Sequence, residues 1–138
     1  MSHPEYFNYE GLGKINQQKY KYSQAVRVGD RIECAGQGGW DPQTGILKED
    51  VEAQINQTFK NVDLALKTAG GTGWNQVFRL TSYHVSLDSE VMKIMVENFK
   101  KHIPDHEPLW TCVGVERLAR PDMKVEIEAA AYDSRSLN

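Results

Sequence analysis

Cysteine is scarce in this chain. Cys34 and Cys112 are the only two, and no CxxC pair or cysteine–histidine grouping at zinc spacing accompanies them. A disulfide framework and a zinc module are therefore excluded, and both thiols are expected to be free in a reducing compartment. Long hydrophobic runs are absent too. No stretch approaches the roughly 18–20 apolar residues that a spanning helix needs, so no membrane association is expected. Positive charge is not in excess: 16 basic side chains face 19 acidic ones, a net charge of −3. Proteins that live on phosphate contacts carry a basic balance or stripe. The nearest approaches here, Lys14 to Lys21 and Lys100-Lys101, are short and diluted, so a nucleic-acid partner is not expected. The first residues, Met1 to Gly13, have neither the basic nor the apolar region of a secretory signal. A cytoplasmic protein is expected.

What is present fits one domain of 138 residues with an ordinary core. No repeat, low-complexity run or linker interrupts it. Residues 1–20 read as an irregular arm ahead of a domain over 21–138. Residues 22–28 and 31–35 read as strands joined by Gly29-Asp30, a hairpin. Residues 36–45 form a turn-rich loop. Between Asp50 and Thr68, Val51, Ile55, Phe59, Val62 and Leu66 recur at helical spacing, and Gly70-Gly71 ends the pattern. A strand follows around residues 77–85. Asp88 or Ser89 caps a second helix to His102, with Val91, Met92, Met95 and Phe99 turned inward. Strands over residues 109–117 and 123–132 close the chain. The order ββ, α, β, α, ββ predicts an α+β fold, a mixed sheet with two helices on one face.

On the last strand Val125, Ile127 and Ala129 alternate with Lys124, Glu126 and Glu128. One side is apolar and the other carries carboxylates, a pattern suited to partner subunits around a polar cleft. Trp110, Cys112 and Gly114 share one face of their strand, since side chains alternate at period two.

The stretch Glu107-Pro108-Leu109-Trp110-Thr111-Cys112-Val113-Gly114-Val115 precedes Met123-Lys124-Val125-Glu126-Ile127-Glu128-Ala129 by one short loop. Together with Gly29-Asp30, Ala35-Gly36-Gln37, Asp41-Pro42-Gln43-Thr44-Gly45 and Asn61-Val62, these segments resemble the Rid (YjgF-like) family of imine and enamine deaminases, also labelled endoribonuclease L-PSP or translation inhibitor. The resemblance runs from about Lys21 to Tyr132. It implies a chorismate-mutase-like fold and a homotrimer whose sheets form a barrel, with small-molecule substrate in clefts between subunits. It implies no metal and no organic cofactor.

Carried over residue by residue, the resemblance assigns Glu126 to water and proton handling and Cys112 to the region that holds substrate oxygen or the attacking water. Tyr22, Gly36, Trp110 and Thr111 are its substrate contacts. Trp110 departs from the family, which has an arginine there to grip a substrate carboxylate. An indole offers a single N–H and a broad apolar face, and cannot make a two-pronged charged contact. Losing such a contact costs on the order of 2–5 kcal/mol. The expected function is hydrolysis of a reactive imine or enamine with release of ammonia, with a preference for neutral, aromatic or bulky substrates. Tyr22 and Trp110 would form an aromatic wall. The alternatives are a non-catalytic binding or protein-protective trimer and, less favoured by the charge balance, an endoribonuclease. Arg79, Arg117 and Arg120 are the arginines weighed as substitutes, each more readily read as an ordinary surface or interface residue.

Overall fold

The computed structural model describes residues 3–134. Six strands form one sheet: β1 (Glu5–Phe7), β2 (Ala25–Val28), β3 (Arg31–Gln37), β4 (Val77–His84), β5 (Leu109–Gly114) and β6 (Val125–Tyr132). Their order is β1-β2-β3-β6-β4-β5. Only β4 and β5 pair in parallel. That pair needs a crossover, which α3 (Ser89–His102) supplies. The mixed sheet with helices against it is the α+β architecture expected.

The helix α2 (Val51–Thr68) forms where the apolar period predicts it. The Asp50 carboxylate accepts from the Ala53 N–H at 2.7 Å and starts it. Ile55, Phe59, Val62 and Leu66 are fully buried against β3 and β6. Burying a side chain such as Phe59 is worth about 2–3 kcal/mol. Trp74, in a 3₁₀ turn before β4, stacks on Phe59 with centroids 4.8 Å apart and donates to the Phe59 carbonyl at 2.8 Å. Asp88 caps α3 in the same way as Asp50 caps α2, accepting from the Val91 N–H at 2.9 Å. The buried positions of α3 are Val91, Ile94, Met95 and Asn98. Met92 and Phe99, expected inside, are only partly covered: Met92 lies against Cys112 of the edge strand β5, and Phe99 spans from Phe59 in the core to Trp110 on β5.

Over its described part, residues 3–20, the arm expected at residues 1–20 is not irregular. It contains β1, which extends the sheet beyond β2, and a nine-residue helix, α1 (Leu12–Tyr20). Of α1 only Gly13 is buried, so it carries no apolar stripe for a sequence reading to find.

The two sheet faces differ. On β6, Val125, Ile127, Ala129 and Ala131 lie under the helices, while Glu126, Glu128 and Tyr132 point to the other side. That open face also carries Tyr6, Val28, Leu109, Arg31, Glu33 and Arg79. Arg31 pairs with Glu33 at 3.0 Å and lies over the Phe78 ring.

Candidate functional site

A β-bulge between Cys34 and Gln37 shifts the register of β3 against β6. Bulges of this kind re-aim a side chain, and here the shift brings Gly36 onto Glu126. A β-carbon at position 36 would lie 2.4 Å from the Glu126 Oε1 atom, so any side chain there would have to push that carboxylate aside. Gly36 and Glu126 both line a cavity of about 670 Å³. Tyr22 lines it as well, with its hydroxyl accepting from Asn16 Nδ2 at 3.1 Å. The sequence-predicted residues Tyr22, Gly36 and Glu126 are therefore together.

The cavity has walls the sequence did not reveal. The helix α1 supplies Leu12, Asn16 and Lys19. Trp40 supplies an aromatic wall and is held by a buried chain of polar groups. Its indole donates to the Tyr9 hydroxyl at 3.1 Å, and that hydroxyl donates to Gln37 Oε1 at 2.8 Å. Burial pushes the Tyr9 phenol up to about 12, so it stays protonated in this role. The loop between β5 and β6 adds Arg120.

Glu126 is the one acidic side chain lining this cavity. Burial raises its pKa above the ordinary carboxylate value, and the neighbouring Glu128 charge raises it further. No hydrogen bond or ion pair engages its carboxylate among the described residues. Glu128 instead accepts from the Tyr83 hydroxyl at 2.6 Å. A half-buried carboxylate free to accept a proton, at the wall of a cavity, has the attributes of a general base.

The other sequence-predicted residues lie elsewhere in the chain. Trp110 and Cys112 pair with Leu80 and Ser82, residues of the helix-covered face. They do share a face, as their parity requires, but it is the face opposite Glu126. Trp110 packs edge-on against Phe99 with centroids 4.8 Å apart and donates to Ser82 Oγ at 2.9 Å. Ser82 Oγ also lies 2.9 Å from His84 Nε2, and His84 Nδ1 is buried with no partner among the described residues. Cys112 Sγ is half-buried, 3.9 Å from the Met92 sulfur. Within one chain, then, Tyr22 and Trp110 do not form a common aromatic wall. Thr111 is exposed on the open face, outside the cavity. Gly114 is not sterically required, since a β-carbon there would meet Leu87 at an ordinary 3.8 Å.

Cys34 is buried and its thiol is pushed up to about 12 by burial, which leaves it inert at neutral pH. Gly38 and Gly39 serve close packing rather than phosphate binding: a β-carbon on Gly39 would meet the Gln54 backbone at 2.5 Å. Among the described residues no cluster of three or more His, Cys, Asp or Glu could hold a metal ion. No helix among them is long and apolar enough to cross a membrane.

Comparison with known proteins adds to this geometry. The family profile described as Endoribonuclease L-PSP matches residues 15–133. A 2-iminobutanoate/2-iminopropanoate deaminase of Salmonella typhimurium is 35% identical over 111 residues, covering 80% of this chain and 85% of the relative. A RutC family protein of Pyrococcus abyssi is 36% identical over 112 residues, covering 80% of this chain and 85% of the relative. Among solved structures, RidA from an Antarctic Psychrobacter aligns with a TM-score of 0.73 at 33% identity, covering 80% of this chain and 87% of that one. Escherichia coli TdcF with bound serine aligns at 0.72 and 31% identity, covering 82% and 88%.

Proposed function

This chain belongs to the endoribonuclease L-PSP family, which includes imine deaminases, and on that premise we propose that it hydrolyses a reactive imine or enamine to a carbonyl compound and ammonia. The observation that carries the proposal is the Glu126 carboxylate, half-buried, unpaired and raised in pKa beside Gly36 on the wall of a cavity. Glu126 takes a proton from water as the water attacks the C=N carbon and passes it to the nitrogen, forming a carbinolamine. It then takes the carbinolamine hydroxyl proton and delivers it to the amine nitrogen as the C–N bond breaks, leaving the carbonyl compound and ammonia. Its raised pKa strengthens it as the base and eases its return to the acid form.

The substrate proposed is not a small 2-imino acid held from β5, because Trp110 stands where the family's carboxylate-gripping arginine is expected. Among neutral, aromatic and bulky imines, the last two are supported by a cavity of about 670 Å³ walled by Trp40, Tyr20 and Tyr22. Cys112 and Thr111 remain proposed substrate-side residues through assembly. The open sheet face, with Tyr6, Leu109 and Tyr132 each more than half exposed, is proposed to close against two further copies, giving a homotrimer with clefts between subunits. A cytoplasmic location is proposed from the two free thiols.

One reading competes. The separation of Trp110 and Cys112 from Glu126 favours a non-catalytic binding trimer. An endoribonuclease activity is the weaker alternative, as the net charge of −3 gives no basic excess for phosphate contacts.

The test is ammonia release from freshly generated imines, small and bulky, compared with buffer and with Glu126→Gln. Acceleration that the variant loses supports the deaminase. No acceleration across the panel transfers the protein to the binding reading.

A further inference from the structure

The cavity at Glu126 carries two cations that hydrolysis does not use. Arg120 and Lys19 both line it, against the single acid Glu126. Neither forms an ion pair among the described residues, whose salt bridges involve other side chains. Lys19 Nζ lies 5.3 Å from the centre of the Tyr20 ring. Arg120 is held in place from the opposite wall, its Nη1 donating to the Gly45 carbonyl at 2.8 Å. That carbonyl sits in a braced turn, in which Gly45 N–H donates to the Asp41 carbonyl at 2.8 Å and the Asp41 carboxylate accepts from Gln43 and Thr44 N–H. A guanidinium has five N–H donors, and one bond to Gly45 leaves a pair free for a two-pronged contact.

We propose that Arg120, assisted by Lys19 at the rim, is the specificity-determining residue of this cavity and receives a carboxylate on an aromatic or bulky ligand. The anion is gripped from the β5–β6 loop, on the open side of the sheet, rather than from β5. Of the neutral, aromatic or bulky substrates expected from Trp110, the cavity would then take an aromatic or bulky acid. The cavity volume falls in the range of sites that enclose ligands of that size, about 300–1,000 Å³. The imine at the reacting end rests on the deaminase reading, whereas the anion contact does not depend on it.

The experiment is calorimetric binding of phenylpyruvate and 3-phenylpropionate, and of 3-phenylpropionamide as the uncharged control, to the full chain. The variants are Arg120→Gln, Arg120→Lys and Lys19→Gln. The wild type should prefer the acids to the amide. Arg120→Gln should weaken the acids on the order of tenfold, the worth of one charge-assisted contact, and erase that preference. Arg120→Lys should recover part of it, and Lys19→Gln should cost less. Equal binding of acid and amide by the wild type overturns the proposal. So does a proportional loss of both ligands in Arg120→Gln with a fall in Tm, which would mark Arg120 as a brace for the loop.

In parallel, the imine made in situ from phenylalanine by an amino-acid oxidase is offered to the same proteins. Carboxylate-selective binding without accelerated hydrolysis overturns the deaminase reading and leaves this proposal standing. Hydrolysis whose KM ignores Arg120→Gln overturns this proposal and leaves the deaminase standing.

Discussion

The two faces of the sheet solve the same packing problem differently. Under α2 and α3, polar groups mostly find each other: Trp110 donates to Ser82, Trp74 to the Phe59 carbonyl, and Gln54 holds the Lys48 and Asp122 carbonyls. On the open side, Glu126 has no such partner, and burial and Glu128 raise its pKa. Most groups on the first face, His84 Nδ1 excepted, are satisfied and hold the fold. A group left wanting on the second is available to chemistry. Trp110, singled out in the sequence as the departure from the family, belongs within one chain to the first kind.

The largest effect expected is on the helix-covered face. Trp74→Ala removes a fully buried indole and its stacking on Phe59, and should cost about 3–5 kcal/mol in chemical denaturation. Little of that loss should be specific to ligand binding at folded conditions. Next, Gly36→Ala should push the Glu126 carboxylate aside and lower imine hydrolysis by roughly 10- to 100-fold, a misplaced general base being worth up to about 10²–10⁴. Unchanged kinetics there would sever Glu126 from catalysis. Trp110→Phe keeps the ring against Phe99 and deletes the donor to Ser82. It should cost about 1 kcal/mol of stability with hydrolysis by folded protein preserved. A selective loss of activity would show that Trp110 reaches a site through assembly, and the contrast between faces would fail.

The smallest effect is electrostatic. Glu126 must be ionised to act as a base, so activity should fall as pH drops through its raised pKa. Glu128→Gln removes one of the two causes of that rise, and the acid limb of the pH–rate profile should move to lower pH. Burial, the larger cause, remains, so the limb should stay above the ordinary carboxylate range.

Much of the fold was legible because periodicity and capping report burial directly. The face of Val51, Ile55, Phe59, Val62 and Leu66 marks α2, and the alternation from Val125 to Ala129 marks β6. The helix α1 was missed because it buries only Gly13, so no stripe distinguishes it from a loop. The site was half legible. Parity placed Trp110 and Cys112 on a common face, but parity within a strand does not say which side of the sheet that is. Only the registers of β4 with β5 and β6 separate them from Glu126. Arg120 could be named among the candidate arginines, yet nothing in its neighbours announces the contact with Gly45, which lies 75 positions away. The bulge that seats Gly36 against Glu126 also has no local signature beyond the glycine itself.

The walls of the cavity come from opposite ends of the chain. The helix α1 and Tyr22 emerge early in synthesis, whereas Arg120 and Glu126 emerge about a hundred positions later. Contacts of such long sequence separation form late, since loop-closure entropy must be overcome before they contribute. The cavity therefore comes into being only when the whole domain has folded. A ligand seated there should act as a chaperone for the completed chain, slowing its unfolding while leaving its early folding untouched.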